Sequence, residues 1–194
     1  MSDDAGADLL GRAKRGDGRA FEALVREHER RLYGHVARIV GAGADAEDVT
    51  QDALVSAWRS LAALEGSSFR AWLFRIATNR AIDLLRARRR RGELPLDPPD
   101  DEDEPSWAEP AAPGPGLAEI AADREALEAV EAALATVPAE QRAALLLRDV
   151  EGFAYEEIAR ITSVEIGTVK SRIHRARVAV RNALVVRGWR SAAG

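Results

Sequence analysis

The chain contains no cysteine. Disulfides and thiolate-held zinc are excluded, and a reducing compartment is the expectation. Its three histidines, His28, His35 and His174, show no HExxH pattern, so no histidine metal site is expected. Glycine forms no Walker-type or dinucleotide-type phosphate loop, which argues against a nucleotide-using enzyme. Long apolar runs are lacking too. The stretch Ala143 to Leu147 is far too short to cross a membrane. The acidic start, Met1-Ser2-Asp3-Asp4, has neither the basic nor the apolar character of a signal peptide. A cytoplasmic protein is expected, not inserted in a membrane, with no catalytic residues, metal or cofactor.

What is present suffices to fold. Hydrophobic residues make up 46% of 194, enough for the core of one ordinary domain or two small ones. The net charge of −4 argues against a basic nucleic-acid binder, but the mean hides strong segregation. Residues 70–91 hold eight arginines and one acid, Asp83. Residues 166–194 hold seven Lys/Arg and no acid, whereas residues 92–123 hold ten acids and no Lys/Arg. Seven of the eight prolines, Pro95 to Pro115, fall in that acidic stretch. A segment so charged and proline-rich cannot bury enough surface to order itself. It reads as a flexible acidic linker over 92–118, between domains at 1–91 and 119–194.

Elsewhere the apolar residues repeat every three or four positions. Ala46, Val49, Ala53, Ala57 and Leu61 do so, as do Leu73, Ile76, Ala77, Ala81 and Leu84, then Leu127, Val130, Leu134 and Val137. No segment alternates with period two. The fold is expected to be all-α: two small helical domains, about four helices on each side of the linker.

In the second half, Tyr155 to Ile161 reads as a short helix, Thr162-Ser163-Val164 as a turn, and Glu165 into the high 180s as a long helix. This is a helix-turn-helix, whose second helix normally enters the DNA major groove. Ile166, Val169, Ile173, Ala176 and Val180 are expected to be buried on one stripe. Lys170, Ser171, His174 and Arg175 share the opposite one, with donors suited to guanine edges. Arg172, Arg177 and Arg181 flank them and suit phosphates.

In the first half, Glu47, Asp48, Gln51 and Asp52 project from the apolar stripe of one helix. They form either a solvated face or a docking face for a basic partner. Arg75, Asn79, Arg86 and Arg90 line one side of another helix, preceded by Leu64, Glu65, Gly66, Ser67 and Ser68. A loop of small residues can close on an extruded base, and the arginines can hold a single-strand backbone.

The string Gly167-Thr168-Val169-Lys170-Ser171-Arg172-Ile173-His174-Arg175-Ala176-Arg177, with Tyr155-Glu156-Glu157-Ile158-Ala159 upstream, closely resembles region 4 of the extracytoplasmic-function (ECF) sigma factors. Asp45 to Asp52, Ala57-Trp58-Arg59, Phe69 to Asn79 and Arg86 to Arg91 resemble region 2 of the same family. The resemblance implies a subunit that binds core RNA polymerase and promoter DNA and promotes strand opening. It implies that Thr168, Lys170, Ser171, Arg172, His174, Arg175 and Arg177 bind the minus-thirty-five element. Leu64, Gly66, Ser67, Ser68, Arg75, Asn79 and Arg86 would capture the minus-ten single strand. Glu47, Asp48, Gln51 and Asp52 would dock on the β′ clamp coiled coil, with the β subunit and an anti-sigma factor as further partners. The sequence departs from the family at Ala154, where Ser would cap a helix, at Ser163, where Gly is common, and at Glu165, where Pro is common. A stand-alone helix-turn-helix regulator, and an adaptor that binds no DNA, remain the alternatives.

Overall fold

A computed structural model describes residues 3–65, 68–94 and 124–186, with side chains placed from residue 6 and, in the second half, from residue 127. Among these residues all regular structure is helical. Four helices occupy the first half: α1 (Asp3–Lys14), α2 (Gly18–Val40), α3 (Ala44–Ser60) and α4 (Phe69–Arg90), with a 3-10 turn at Leu61–Ala63. Four more follow: α5 (Arg124–Ala135), α6 (Ala139–Asp149), α7 (Tyr155–Thr162) and α8 (Ile166–Val186). The chain divides into two compact units, Met1–Leu84 and Leu85–Gly194, so the division falls within α4. Most of the expected linker, 95–118, lies outside the described residues.

In the first unit α2 packs against α1 and α3. Asp17 starts α2: its carboxylate accepts the Arg19 and Ala20 N–H groups at 3.0 and 3.1 Å, satisfying donors that the first turn leaves without partners. The inner stripe of α3 is mainly alanine, with Ala46, Ala53 and Ala57 fully buried. Small side chains supply little apolar area, so the bulk of the core comes from Leu32 and Ile39 on α2 and Leu73 and Phe74 on α4. Each such side chain contributes roughly 1.5–3 kcal/mol on burial. Arg80 of α4 reaches across to α3, hydrogen-bonding Ser56 and pairing with Asp52 at 3.5 Å.

One polar contact crosses this core. His35 of α2 is buried, and its Nε2 shares a 2.9 Å hydrogen bond with Thr78 Oγ1 of α4. The Phe74 ring lies 5.3 Å from the imidazole, and Nδ1 has no hydrogen-bond partner among the described residues. Burial, reinforced by the charge of Arg38, pushes the imidazole down from 6.5 to about 3.

The second unit is organised around α6. Every residue from Gln141 to Leu147 is buried, so this helix has no wet face over two turns. It packs against α7 and α8, and α5 packs against α8. Its buried Arg142 donates through Nη2 to the Val137 carbonyl at 2.9 Å and to Ala135 O at 3.4 Å. These contacts place a cation against carbonyls at the end of α5, where the helix dipole favours positive charge. Pro138 precedes α6, and Gly152 after it adopts φ 76°.

The His35 geometry sets a pH dependence. Above pH 6.5 the imidazole is neutral both folded and unfolded, and its contribution is constant. Between pH 6.5 and about 3 the unfolded chain takes up a proton that the native state refuses, so stability falls with pH. At pH 5 the expected loss is about 2 kcal/mol relative to neutral pH. His35→Leu should remove this component, flattening the urea midpoint between pH 7 and pH 5. Equal slopes for variant and wild type would rule it out.

Candidate nucleic-acid interface

The upstream site is built on α7 and α8. Ile158 and Ile161 of α7 are buried, as are Val169, Ile173, Ala176, Val180 and Leu184 of α8. This spacing holds one side of α8 inward and leaves the other wet. Ile166, expected inside, is 38% exposed: it opens the helix, where no preceding turn lies above it to cover it. The turn between the helices closes through Ser163, at φ 56° and ψ 42°, while Val164 N–H donates to Ala159 O at 3.1 Å. Ser163 is the one non-glycine residue with positive φ among the described residues. That backbone strains any Cβ-bearing residue by roughly 1 kcal/mol, though it closes the C-terminus of α7 well. At the start of α7, Glu157 accepts the Ala154 N–H at 3.0 Å. Half of a capping box thus forms without the serine, since the alanine methyl cannot supply the other half.

On the wet side, His174 is exposed and Thr168, Lys170, Ser171, Arg172 and Arg175 are half-buried. Ser171 Oγ donates to Thr168 O at 2.9 Å, so its own lone pairs stay available as acceptors. The Lys170 ammonium lies 6.0 Å from the Tyr155 ring centre, and the Arg148 guanidinium stands 4.7 Å from the same ring. The ring attracts both cations by cation–π interaction and brings Arg148 of α6 beside the recognition helix. Arg177 departs from expectation. Its guanidinium donates to both Asp149 oxygens, at 2.6 and 3.1 Å, and bonding to that carboxylate raises its pKa. Arg177 therefore fastens α8 to the end of α6 and does not present its fork to a phosphate.

The first unit carries two further surfaces. Glu47, Asp48, Gln51 and Asp52 are all exposed on α3. Val55 and Trp58 are partly exposed one and two turns further along, so the acidic face continues into an apolar one. The Trp58 ring is steadied by Phe21, 5.1 Å away. On α4, Arg75 and Asn79 are exposed, and Arg86 and Arg90 are exposed further along the helix. Ser68 caps α4, its Oγ accepting the Ala71 N–H at 3.1 Å. Leu64 also departs from expectation. Its side chain is only 3% exposed, so as it stands it anchors the loop and lines no open pocket. Its carbonyl accepts a hydrogen bond from Lys14 Nζ at 2.5 Å. Gly66 and Ser67 lie outside the described residues. Phe69 and Trp72 are buried in the core beside Phe21 and are not set out as stacking platforms. Among the described residues no cluster of His, Asp and Glu could hold a metal ion, and no helix is long and apolar enough to cross a membrane.

Residues 24–91 match the family described as Sigma-70 region 2, and residues 127–180 match Sigma-70, region 4. The chain is 37% identical over 191 residues to the RNA polymerase sigma-H factor of Pseudomonas aeruginosa, covering 95% of this chain and 96% of that one. It is likewise 37% identical over 181 residues to the ECF RNA polymerase sigma-E factor of Escherichia coli, covering 90% and 91% of the two chains. The chain belongs to the ECF sigma factors. Its fold is similar to that of the sigma factor RpoE solved in complex with the anti-sigma factor NepR from Bartonella quintana. That match has a TM-score of 0.65 and 31% identity over 86% of this chain and 97% of that one. The relatives align with both halves, which decides against a stand-alone regulator sharing only the helix-turn-helix.

In this sigma factor the region 4 match begins within α5 and ends within α8, and the region 2 match runs from within α2 to just past α4. Sequence reasoning missed Lys14, Arg148 and the inward turn of Arg177. Only the last had a signal: Arg177 lies one residue from the buried Ala176, at the edge of the apolar stripe. Because Ser163 carries a Cβ in left-handed backbone, Ser163→Gly should stabilise the second unit by roughly 0.5–1 kcal/mol, and Ser163→Val should destabilise it by at least as much. Thermal unfolding of the two variants checks this. No change in either would mean that the turn relaxes to ordinary backbone at no cost.

Proposed function

We propose that this sigma factor binds core RNA polymerase, addresses it to a promoter and stabilises the opened strand, supplying no reaction chemistry of its own. The observation that carries the reading is the pairing, in one chain, of a helix-turn-helix whose second helix has a polar and basic outer side with a separate polar and basic helix face following a short loop. The proposed domains are 1–91, 92–118 and 119–194, acting in the cytoplasm. Thr168, Lys170, Ser171, Arg172, His174 and Arg175 of α8 read the minus-thirty-five element, by base edges and nearby phosphates. Arg177 supports them from within, holding the helix at its Asp149 tether. Ser68, Arg75 and Asn79, with Gly66, Ser67 and Arg86, take the minus-ten strand once its bases leave the stack, so binding offsets unpairing. Leu64 contributes the anchored backbone of that loop.

Glu47, Asp48, Gln51 and Asp52 dock on the β′ clamp coiled coil, with Val55 and Trp58 giving apolar area beside the charges. A face of this mixed kind combines steering with burial. The β subunit is a further contact, and an anti-sigma factor is the partner that would compete for these surfaces. Asp52 already pairs with Arg80, so Asp48 is the cleaner probe of docking.

Two variants separate the DNA-reading surfaces. Arg175→Ala should weaken upstream-element binding by the holoenzyme about tenfold or more, since a good base contact is worth about 1–3 kcal/mol. Opening, once the complex forms, should change little. Asn79→Ala should leave low-temperature footprints intact but reduce permanganate reactivity of unpaired thymines. If both variants fail at the same step, the division of labour is wrong. In-vitro transcription with purified core polymerase tests the reading as a whole, and specific duplex binding of equal strength by the free chain would overturn it.

A further inference from the structure

The helix α1 lies outside the region 2 match, which begins at residue 24, yet it is firmly tied to the first unit. Arg12 donates through Nε and Nη2 to Asp17 Oδ2 at 3.0 and 2.8 Å. The other oxygen of the same carboxylate caps α2. Gly16 turns the chain between them at φ 93°, and Asp17 N–H returns to Arg12 O at 3.1 Å. Ala13 is buried, and α1 packs against the 3-10 turn at Leu61–Ala63. The corner therefore fixes the last turn of α1, and with it the root of the Lys14 side chain.

Lys14 reaches fifty residues along the chain to the carbonyl of Leu64. Leu64 is extended, at φ −71° and ψ 111°, and is the residue at which the 3-10 turn ends. Its side chain is in the core, its N–H donates to Leu61 O at 3.1 Å, and its carbonyl takes the ammonium. All three groups of the residue are thus held. Four positions later Ser68 is held in turn, by capping α4. The chain therefore enters and leaves this loop through fixed points, and only the first depends on α1.

We infer that Lys14 is a positioning residue for strand opening: by holding the Leu64 carbonyl it fixes the backbone that leads into the base-capturing loop, and so sets how sharply one downstream base is preferred. The inference rests on the reading of this loop and Asn79 as the capture site. A charge-assisted hydrogen bond suits the task, because it holds a backbone atom without filling space that a base would need. A direct role is the rival. An ammonium at this place could bind a phosphate, and it would then add about one unit to the salt dependence of binding.

The experiment uses holoenzyme reconstituted with wild type, Lys14→Met, Lys14→Arg and Asn79→Ala. The templates are a promoter that wild type transcribes and its single-base substitutions through the downstream element, with opening followed by 2-aminopurine fluorescence. Lys14→Met should slow opening roughly three- to tenfold and flatten the preference among the substituted templates. Closed-complex affinity and its salt dependence should stay at the wild-type level, and Lys14→Arg, which keeps a long cationic donor, should recover most of the preference. Thermal unfolding of Lys14→Met should match wild type within a few degrees, since one partly exposed hydrogen bond is at stake. Unchanged preference in Lys14→Met alongside lost preference in Asn79→Ala overturns the bracing role alone. Unchanged preference in both removes the capture site and the inference together. A salt dependence reduced by about one unit in Lys14→Met makes the residue a phosphate ligand and refutes the brace.

Discussion

A recognition helix must satisfy two solvents at once, and α8 can do so only because α6 gives it a dry surface to lie on. Val169, Ile173, Ala176, Val180 and Leu184 keep helical spacing for more than four turns, which fixes the rotation of α8 about its own axis. Once that rotation is set, the direction of Lys170, Ser171, His174 and Arg175 follows. A helix as short as α7 would not stand alone. It is held by Ile158 and Ile161 beneath, by the Glu157 contact at its start and by the left-handed Ser163 at its end. The functional surface is thus a by-product of burial on the opposite side. Changes to the buried stripe would move the residues proposed to face DNA without touching them.

The arginines show the same dependence of surface on interior. Arg142 closes the end of α5, Arg177 fastens α8 to Asp149, and Arg80 links α4 to α3. Arg75 and Arg90, by contrast, keep exposed positions on α4. A cation held in a partly buried bidentate pair loses much of its reach toward a distant anion, because its nearest counter-charge already neutralises it. Counting basic residues in a segment therefore overstates the charge available to DNA. Which arginines face outward is decided residue by residue, by whether an acid or an open helix end lies within reach.

The helices were legible because burial is written in their period. The stripe Ala46, Val49, Ala53, Ala57 and Leu61 is buried as its spacing implies, and the helix-turn-helix falls where turn chemistry puts it. The misses have a common cause. Ile166 fits the apolar period but opens its helix, so the packing that period implies is incomplete there. Leu64 sits among small polar loop residues and reads as loop lining, yet an apolar side chain beside a helix end has a core within reach. Arg177 reads as a flanking cation because Asp149 is distant in sequence. Lys14 and Leu64 are fifty residues apart, and no periodic pattern announces a side chain that meets a backbone carbonyl. Local period carries the fold; the contacts that aim the functional groups are mostly long-range.

Each proposed DNA-reading surface draws its support from nearby elements: α6 and α7 behind α8, α2 and α3 beside α4, and α1 at Leu64 before it. Shape, however, is not affinity. The whole chain carries a net charge of −4, and residues 92–123 alone place ten acids between the two basic segments, so a free molecule presents weak electrostatic attraction to a duplex. Two weak sites become a strong reader when something holds them along one DNA, because the second contact is then made at high effective concentration. On the proposed reading that task falls to the polymerase, through the acidic and apolar face of α3. The segregated charge then has a physical sense. The contacts that read sequence are kept strong locally, while the molecule as a whole stays too weak a binder to occupy promoters without the enzyme it directs.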